Sequence, residues 1–185
     1  WMRAGFTADN RWRKVQLVSP AAPVVQSQIN PPIKIMQRMK AGQRSRPRPG
    51  VYVFDMNQNM VGWVQIRAHG QRGTALKLRF AERLKPDGMI YTENLGDARA
   101  TDTYIMRGEG TEVWEPRFTY HGFRYVEVSG LSYAPSPEDI TGKVVYDDLE
   151  LIGHITTSNE VLNKIYHNMY WGIRGNYRGI PTDCP

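Results

Sequence analysis

The stretch GVYVFDMNQNMVGWVQIRAHG, residues 50–70, carries two hydrophobic patterns in succession. In its first part Val51 and Val53 oppose Tyr52 and Phe54, so both faces are apolar, as expected of a strand covered on both sides. In its second part Val64, Ile66 and Ala68 alternate with Gln65, Arg67 and His69, the period of two that marks a half-buried strand. The stretch TALKLRFAE, residues 74–82, repeats that pattern, with Leu76, Leu78 and Phe80 against Lys77, Arg79 and Ala81. Between such runs lie His69–Gly73, Pro86-Asp87-Gly88 and Gly108-Glu109-Gly110, where glycine accepts the positive φ that a chain reversal needs. From about Pro31 to Tyr146 the sequence therefore predicts many short strands and few helices: a mainly β fold, an antiparallel β-sandwich, with residues 50–56 at its centre.

The period changes after Tyr146. In ITTSNEVLNKIYHNMYWGIRGNY, residues 155–177, Thr157 and Glu160 have the spacing of a capping box, and Leu162, Ile165 and Met169 recur at helical spacing with Val161 and Tyr166 widening the stripe. A helix over about 158–173 is predicted, weakened at its end by Gly172 and Gly175. Such a stripe asks for a partner, and self-association through it is expected. Residues 1–30, with Trp1, Phe6 and Trp12 before the proline-rich SPAAPVVQSQINPP, read as the end of a preceding module and a linker. The expected division is 1–30, a β-sandwich over 31–150, and a helical unit from 151 to 185.

The 185 residues hold 41% hydrophobic and 23% charged residues, ordinary globular usage, and no apolar run approaches the roughly 20 residues of a membrane-spanning helix. The net charge of +6 raises nucleic acid as a partner. Its densest source, KAGQRSRPRPG with Lys40, Arg44, Arg46 and Arg48, has no interleaved aromatic for base stacking and reads as a solvated loop, so neither nucleic acid nor a membrane is expected. His69, His121, His154 and His167 are far apart and the one thiol is Cys184, so no metal site and no cofactor are expected. No nucleophile elbow, Walker loop or dinucleotide fingerprint is present. Carboxylates suit glycoside hydrolysis, which uses a pair about 5–9.5 Å apart, and Asp55, Glu82, Glu93, Asp102, Glu115, Glu127 and Asp183 qualify by type. Sequence alone does not pair them, and strand-end carboxylates such as Asp55 and Glu82 more often accept from turns or pair with cations. The aromatic run WEPRFTYHGFRYVEV, residues 114–128, reads first as core.

Residues 51–95, 100–131 and 158–185 resemble bacterial α-L-rhamnosidases, in the right order. The shared pattern includes Asp55, Asn59-Met60-x-Gly62-Trp63, Glu82, Asp87-Gly88, Asp102-x-Tyr104, Phe118-x-x-His121-Gly122-Phe123-Arg124-Tyr125 and Pro181-Thr182-Asp183-Cys184-Pro185. The resemblance implies a concanavalin-like (jelly-roll type) sandwich followed by a six-hairpin α/α barrel of which this chain holds the first helix. It implies an inverting glycosidase acting on terminal α-L-rhamnose of glycosides or polysaccharides, with an acid protonating the leaving oxygen and a second carboxylate activating water. In that family the motif ending at Pro185 runs on into Gln-Arg-Asp-Glu, whose Glu is the acid. The segment is therefore expected to be a fragment that holds no catalytic residue and is inactive alone, with Asp183 matching the aspartate that binds rhamnose hydroxyls. Asn57 stands where the family has Gly, and asparagine tolerates left-handed backbone. A different reading remains open: a carbohydrate-binding sandwich in its own right, stacking sugars on Trp63, Tyr91 or Trp114.

Overall fold

The computed structural model describes residues 4–17 and 24–182. The elements run β1 (Ile33–Lys40), β2 (Arg44–Arg48), β3 (Val51–His69), β4 (Ala75–Ala81), β5 (Arg83–Leu84), β6 (Ile90–Tyr91), β7 (Thr101–Ile105), β8 (Thr111–Trp114), β9 (His121–Ser129) and β10 (Ile140–Asp147), then helix α1 (Glu160–Asn176) and the short strands β11 (Tyr177–Arg178) and β12 (Ile180–Pro181). Eight strands form one antiparallel sheet in the order β1-β10-β3-β9-β4-β7, with β2 and β8 also paired to β3.

Strand β3 organises this sheet. One of its edges pairs with β9 through Val51–Asp55 and Met60–Gly62 and with β8 through Ile66–His69. The other edge takes β2 near Val51–Phe54 and β10 at Gly62–Ile66. A 19-residue strand that changes partners along both edges curls the sheet on itself, so the two layers expected of the sandwich are joined through β3. The inward residues of all its long strands meet in one core that includes Phe54, Met56, Val64, Ile66, Leu76, Leu78, Phe80, Phe123, Val126 and Ile140. On the outer face the β5–β6 hairpin covers a smaller cluster of Val53, Ala81 and Ile90 with Tyr125 against it. That cap makes the first part of β3 apolar on both faces, and it explains why Ala81, placed on the polar face of its strand by alternation, is buried.

Two close packings set the curl. At Gly62 a Cβ would lie 1.8 Å from the carbonyl oxygen of Lys143, so β3 and β10 approach in a way only glycine allows. Between Asp55 and Met60 the β3–β9 register breaks, and Asn57 takes φ 62 at the bulge with its amide donating to Asp55 Oδ1 at 2.7 Å. Asn57 thus fills the left-handed position where the resemblance has glycine.

Two expectations change. The basic run at Arg44–Arg48 is strand β2, not a loop: it satisfies the open backbone of β3, and Pro47 is tolerated because this is an edge. Arg44 donates to the Pro135 carbonyl at 2.7 Å, and both Arg44 and Arg46 lie over the Tyr52 ring. Helix α1 is capped by Asn159, whose side chain accepts from the amides of Val161 and Leu162, while Thr157 bonds Asn163 instead. The helix also runs through both glycines to Asn176, with Gly175 buried. The apolar stripe of Leu162, Ile165 and Met169 faces outward, and α1 rests on the sandwich through Trp171, Arg174 and Gly175. Arg174 sits 3.7 Å from the Tyr170 ring centroid and 5.0 Å from that of Tyr146.

A charged residue inside the sheet needs several donors, and Glu112 has them. It accepts from the Tyr104 hydroxyl, from the amides of Arg107 and Gly108, and from the Arg107 guanidinium. These bonds, the Tyr104 bond foremost, hold its carboxyl at about 2. A folded-state pKa below the unfolded one stabilises above the unfolded value of about 4.3 and is lost as pH falls towards the folded value. Melting temperature measured between pH 5 and pH 2 is therefore expected to fall, with a shallower slope in Glu112→Gln. Equal slopes would remove Glu112 from the account. Replacing Gly62 by Ala combines strain of about 1–3 kcal/mol with overpacking of similar size. Thermal unfolding is expected to drop by roughly 6–12 °C for about 3 kcal/mol in a chain of this length. Gly50→Ala, with open space around it, is the milder control.

Candidate functional site

The chemistry-bearing residues fall into three places. The first is a cleft of about 480 Å³ between α1 and the sandwich, lined by Gln58, Asn59, Glu82, Asn168, Trp171 and Asn176 among others. The β3 bulge brings Asn59 to the end of β4, where its Nδ2 donates to Glu82 Oε1 at 2.7 Å. Across the cleft Asn176 uses its Nδ2 on the Gly172 carbonyl, while its buried Oδ1 has no protein partner. A carboxylate, four primary amides and an indole in one recess can bind hydroxyl-rich molecules, but one carboxylate does not supply an acid and a base.

The second is a shallow depression on the outer side of β3 and β8, lined by Trp63, Gln65, Val113, Trp114, Glu115, Arg117 and Phe118. Glu115 accepts from Trp63 Nε1 at 2.7 Å, from Lys143 Nζ at 2.8 Å and from Gln65 at 3.4 Å. Burial works against its ionisation, but these donors together hold its carboxyl below the ordinary value. Trp63 is oriented by Glu115, and Trp114 stacks on Tyr104 with centroids 5.0 Å apart, so both belong partly to the scaffold. Tyr91, the third aromatic considered for sugar stacking, stands apart on the β5–β6 hairpin. Phe118 is fully exposed at φ 61, an unfavourable backbone for an aromatic residue, and sequence gave no sign of it.

The third group is the remaining carboxylates, each tied to a donor of its own. Asp55 receives a two-pronged bond from Arg124, at 2.8 Å on each oxygen, and this guanidinium holds its carboxyl below the usual range. Glu93 pairs with Lys85 at 2.7 Å. Glu127, buried on β9, pairs with Arg79 at 3.0 Å and leaves Oε2 without a protein partner. Asp102 lies buried beside His121 at 3.0 Å, with the imidazole stacked on Phe80. Among the described carboxyls whose ionisation is displaced, every one is displaced downward. A general acid needs the opposite shift. Glu112 escaped notice as a strong acceptor because TEVW reads as an ordinary strand; the clue was the glycine turn four residues before it, whose amides need an acceptor. Asp183 and Cys184 lie outside the described residues.

The other histidines pack on aromatic rings: His69 on Tyr133 at 3.9 Å, His154 on Tyr166 and His167 on Trp171. Among the described residues no group of three His, Cys, Asp or Glu side chains is placed to hold a metal ion, and no helix is long and apolar enough to cross a membrane.

Comparison with known proteins places this geometry. Residues 45–146 match the family model of the bacterial alpha-L-rhamnosidase concanavalin-like domain, and residues 150–185 match that of the bacterial alpha-L-rhamnosidase 6 hairpin glycosidase domain. The chain is 44% identical over 186 residues to an alpha-L-rhamnosidase of Streptomyces avermitilis, covering all of this chain and 18% of that protein. The crystal structure of the Streptomyces avermitilis enzyme complexed with L-rhamnose superposes at a TM-score of 0.82 with 47% identity, over 85% of this chain and 15% of that one. The alpha-L-rhamnosidase from Dictyoglumus thermophilum superposes at 0.84 with 47% identity, over 86% of this chain and 18% of that one. The chain thus spans about a fifth of the length of the relatives it matches. With the first model covering more than half of its residues, the chain belongs to the bacterial α-L-rhamnosidase family, as a concanavalin-like β domain joined to the start of the six-hairpin glycosidase domain.

Proposed function

We propose that this chain works as part of an α-L-rhamnosidase that removes terminal α-L-rhamnose from glycosides or polysaccharides with inversion. The observation that carries the reading is the succession of the two family domains along one chain, with the boundary between residues 146 and 150. In this reading residues 1–30 link to a preceding module, 31–150 are the sandwich, and 151–185 open the helical domain. Asp183 binds rhamnose hydroxyls, and the catalytic acid and base come from elsewhere in the longer protein. The downward-displaced carboxyls of the sandwich support that division of labour, since donors keep them charged and occupied.

In the longer enzyme Asp183→Asn keeps the shape of the side chain and removes its charge. Loss of a charge-assisted hydrogen bond of about 1.5–3 kcal/mol corresponds to a fall of roughly 10- to 150-fold in kcat/KM on an aryl α-L-rhamnoside. Wild-type kinetics from a variant of lowered melting temperature would make Asp183 a turn residue instead.

The outward face of α1 gives the separate segment a second property. Val161, Leu162, Ile165, Met169 and Ile173 are each about half exposed, at 49–65%. Covering them in a dimer gains roughly 4–8 kcal/mol from each copy at half of 1.5–3 kcal/mol per side chain, against an association cost of about 4–15 kcal/mol. A weak dimer is expected, visible as a rise of mass with concentration in sedimentation and abolished by Ile165→Glu. A mass independent of concentration would rule it out.

A further inference from the structure

After α1 the chain makes a small hairpin in which Tyr177–Arg178 pairs with Ile180–Pro181 around Gly179, at φ 75. This hairpin is fastened to the sandwich at several points. Asp147, buried at the end of β10, accepts the Gly179 amide on both carboxylate oxygens, at 2.8 and 2.7 Å. Asn30 donates to the Gly179 carbonyl at 3.0 Å. The Arg178 guanidinium donates to the carbonyls of Val145, at 3.1 Å, and Gly175, and lies 4.4 Å from the centroid of the Tyr120 ring. The exit strand is tied back to the helix by the Thr182 amide on the Asn176 carbonyl, at 2.7 Å.

A buried carboxylate is a costly acceptor for a single backbone amide. Asp147 makes no other side-chain hydrogen bond among the described residues, so its expense serves the placement of one turn. Arg178 does likewise: burial pushes its pKa down, and its Nε is buried without a protein partner, yet its two terminal nitrogens hold main-chain carbonyls, one on β10 and one in the last turn of α1. The next residue after the tied Thr182 is Asp183.

We infer that Asp147 and Arg178 are positioning residues, through which the sandwich fixes the Gly179 turn and hence the direction in which Ile180–Thr182 leaves it, and that rhamnose binding by the residue that follows depends on that direction. This rests on the reading of Asp183 as a rhamnose-binding residue. The sandwich then contributes to sugar binding without touching the sugar.

The test is a double-mutant cycle in the longer enzyme, using Asp147→Asn, Asp183→Asn and their combination, with an aryl α-L-rhamnoside for kinetics and L-rhamnose for calorimetric affinity. Misplacing a binding group by about an ångström costs up to about 100-fold. Asp147→Asn is expected to lower kcat/KM and rhamnose affinity together by about 10- to 100-fold while circular dichroism remains that of the wild type. In the Asp183→Asn background the same change is expected to cost less than about 3-fold, because residues that act through one another are not additive. Should Asp147→Asn fail to fold, Arg178→Lys, which keeps the charge and loses the two-carbonyl fork, takes its place in the cycle. Independent losses that multiply, or a lowered melting temperature with wild-type affinity, would make the clamp purely structural and overturn the inference. Wild-type kinetics and affinity in Asp183→Asn alone would instead overturn the reading beneath it, and the inference with it.

Discussion

The approach of the β3 backbone to that of β10 at Gly62, together with the bulge of β3 before it, shapes this domain. With Gly62 at φ 155, a Cβ would stand 1.8 Å from the Lys143 carbonyl oxygen, so this conformation beside β10 is open to glycine alone. The approach occurs where β3 is paired on both edges, for Gly62 pairs with His121 of β9 on one edge and with Val144 of β10 on the other. Beyond that point β9 gives way to β8, and the sheet curls over its own core. Every later feature depends on the curl. It brings Trp63 against Glu115 and Lys143, sets His121 beside Asp102, and turns the end of β10 towards α1.

The architecture was legible where it rests on periodicity. Alternation in β4 and in the second part of β3 places their inward residues, because pleating leaves no other register that buries one whole face. The doubly apolar start of β3 also announced a strand covered on both sides, although what covers it, a hairpin whose strands are two residues each, has no periodicity of its own. Strand β2 was not legible: Arg, Ser and Pro describe a solvated segment, and only the unpaired edge of β3 makes it a strand. The start of α1 was misplaced for a related reason. Thr157, Ser158 and Asn159 are all good caps, and the choice among them follows from the Thr157 to Asn163 bonds, which depend on the helix already being formed.

The candidate site was less legible, because its partners are distant in sequence. Asp55 meets Arg124 sixty-nine positions away, and Glu115 meets Trp63 fifty-two away. Such pairs are products of register, which sequence types do not encode singly. What sequence did carry was a set of motifs whose order matches two rhamnosidase domains, and that placed the chain in its family. The structure adds that the motif residues Asp55, Asn59, Glu82, Asp102, His121 and Arg124 are bonded chiefly to one another. They hold the bulge of β3, the end of β4 and the start of β9 in place, which is a scaffold role and separates motif membership from catalysis.

The helix shows how a β domain can orient the chain that follows it. Its inner stripe is short and specific: Trp171, Gly175 and the Arg174 guanidinium among Tyr146, Tyr170 and Trp171, ending in the Asp147 and Arg178 contacts. Its outer stripe is aliphatic and uncommitted in register. Aliphatic contact is non-directional and tolerates a slide or rotation, whereas a guanidinium set among rings and a carboxylate on one amide do not. The directional contacts that α1 makes with the sandwich concentrate at its C-terminal end, beside the turn that precedes Thr182. Orientation of that turn is thus determined by the β domain, and the aliphatic face is left to supply binding area without dictating angle.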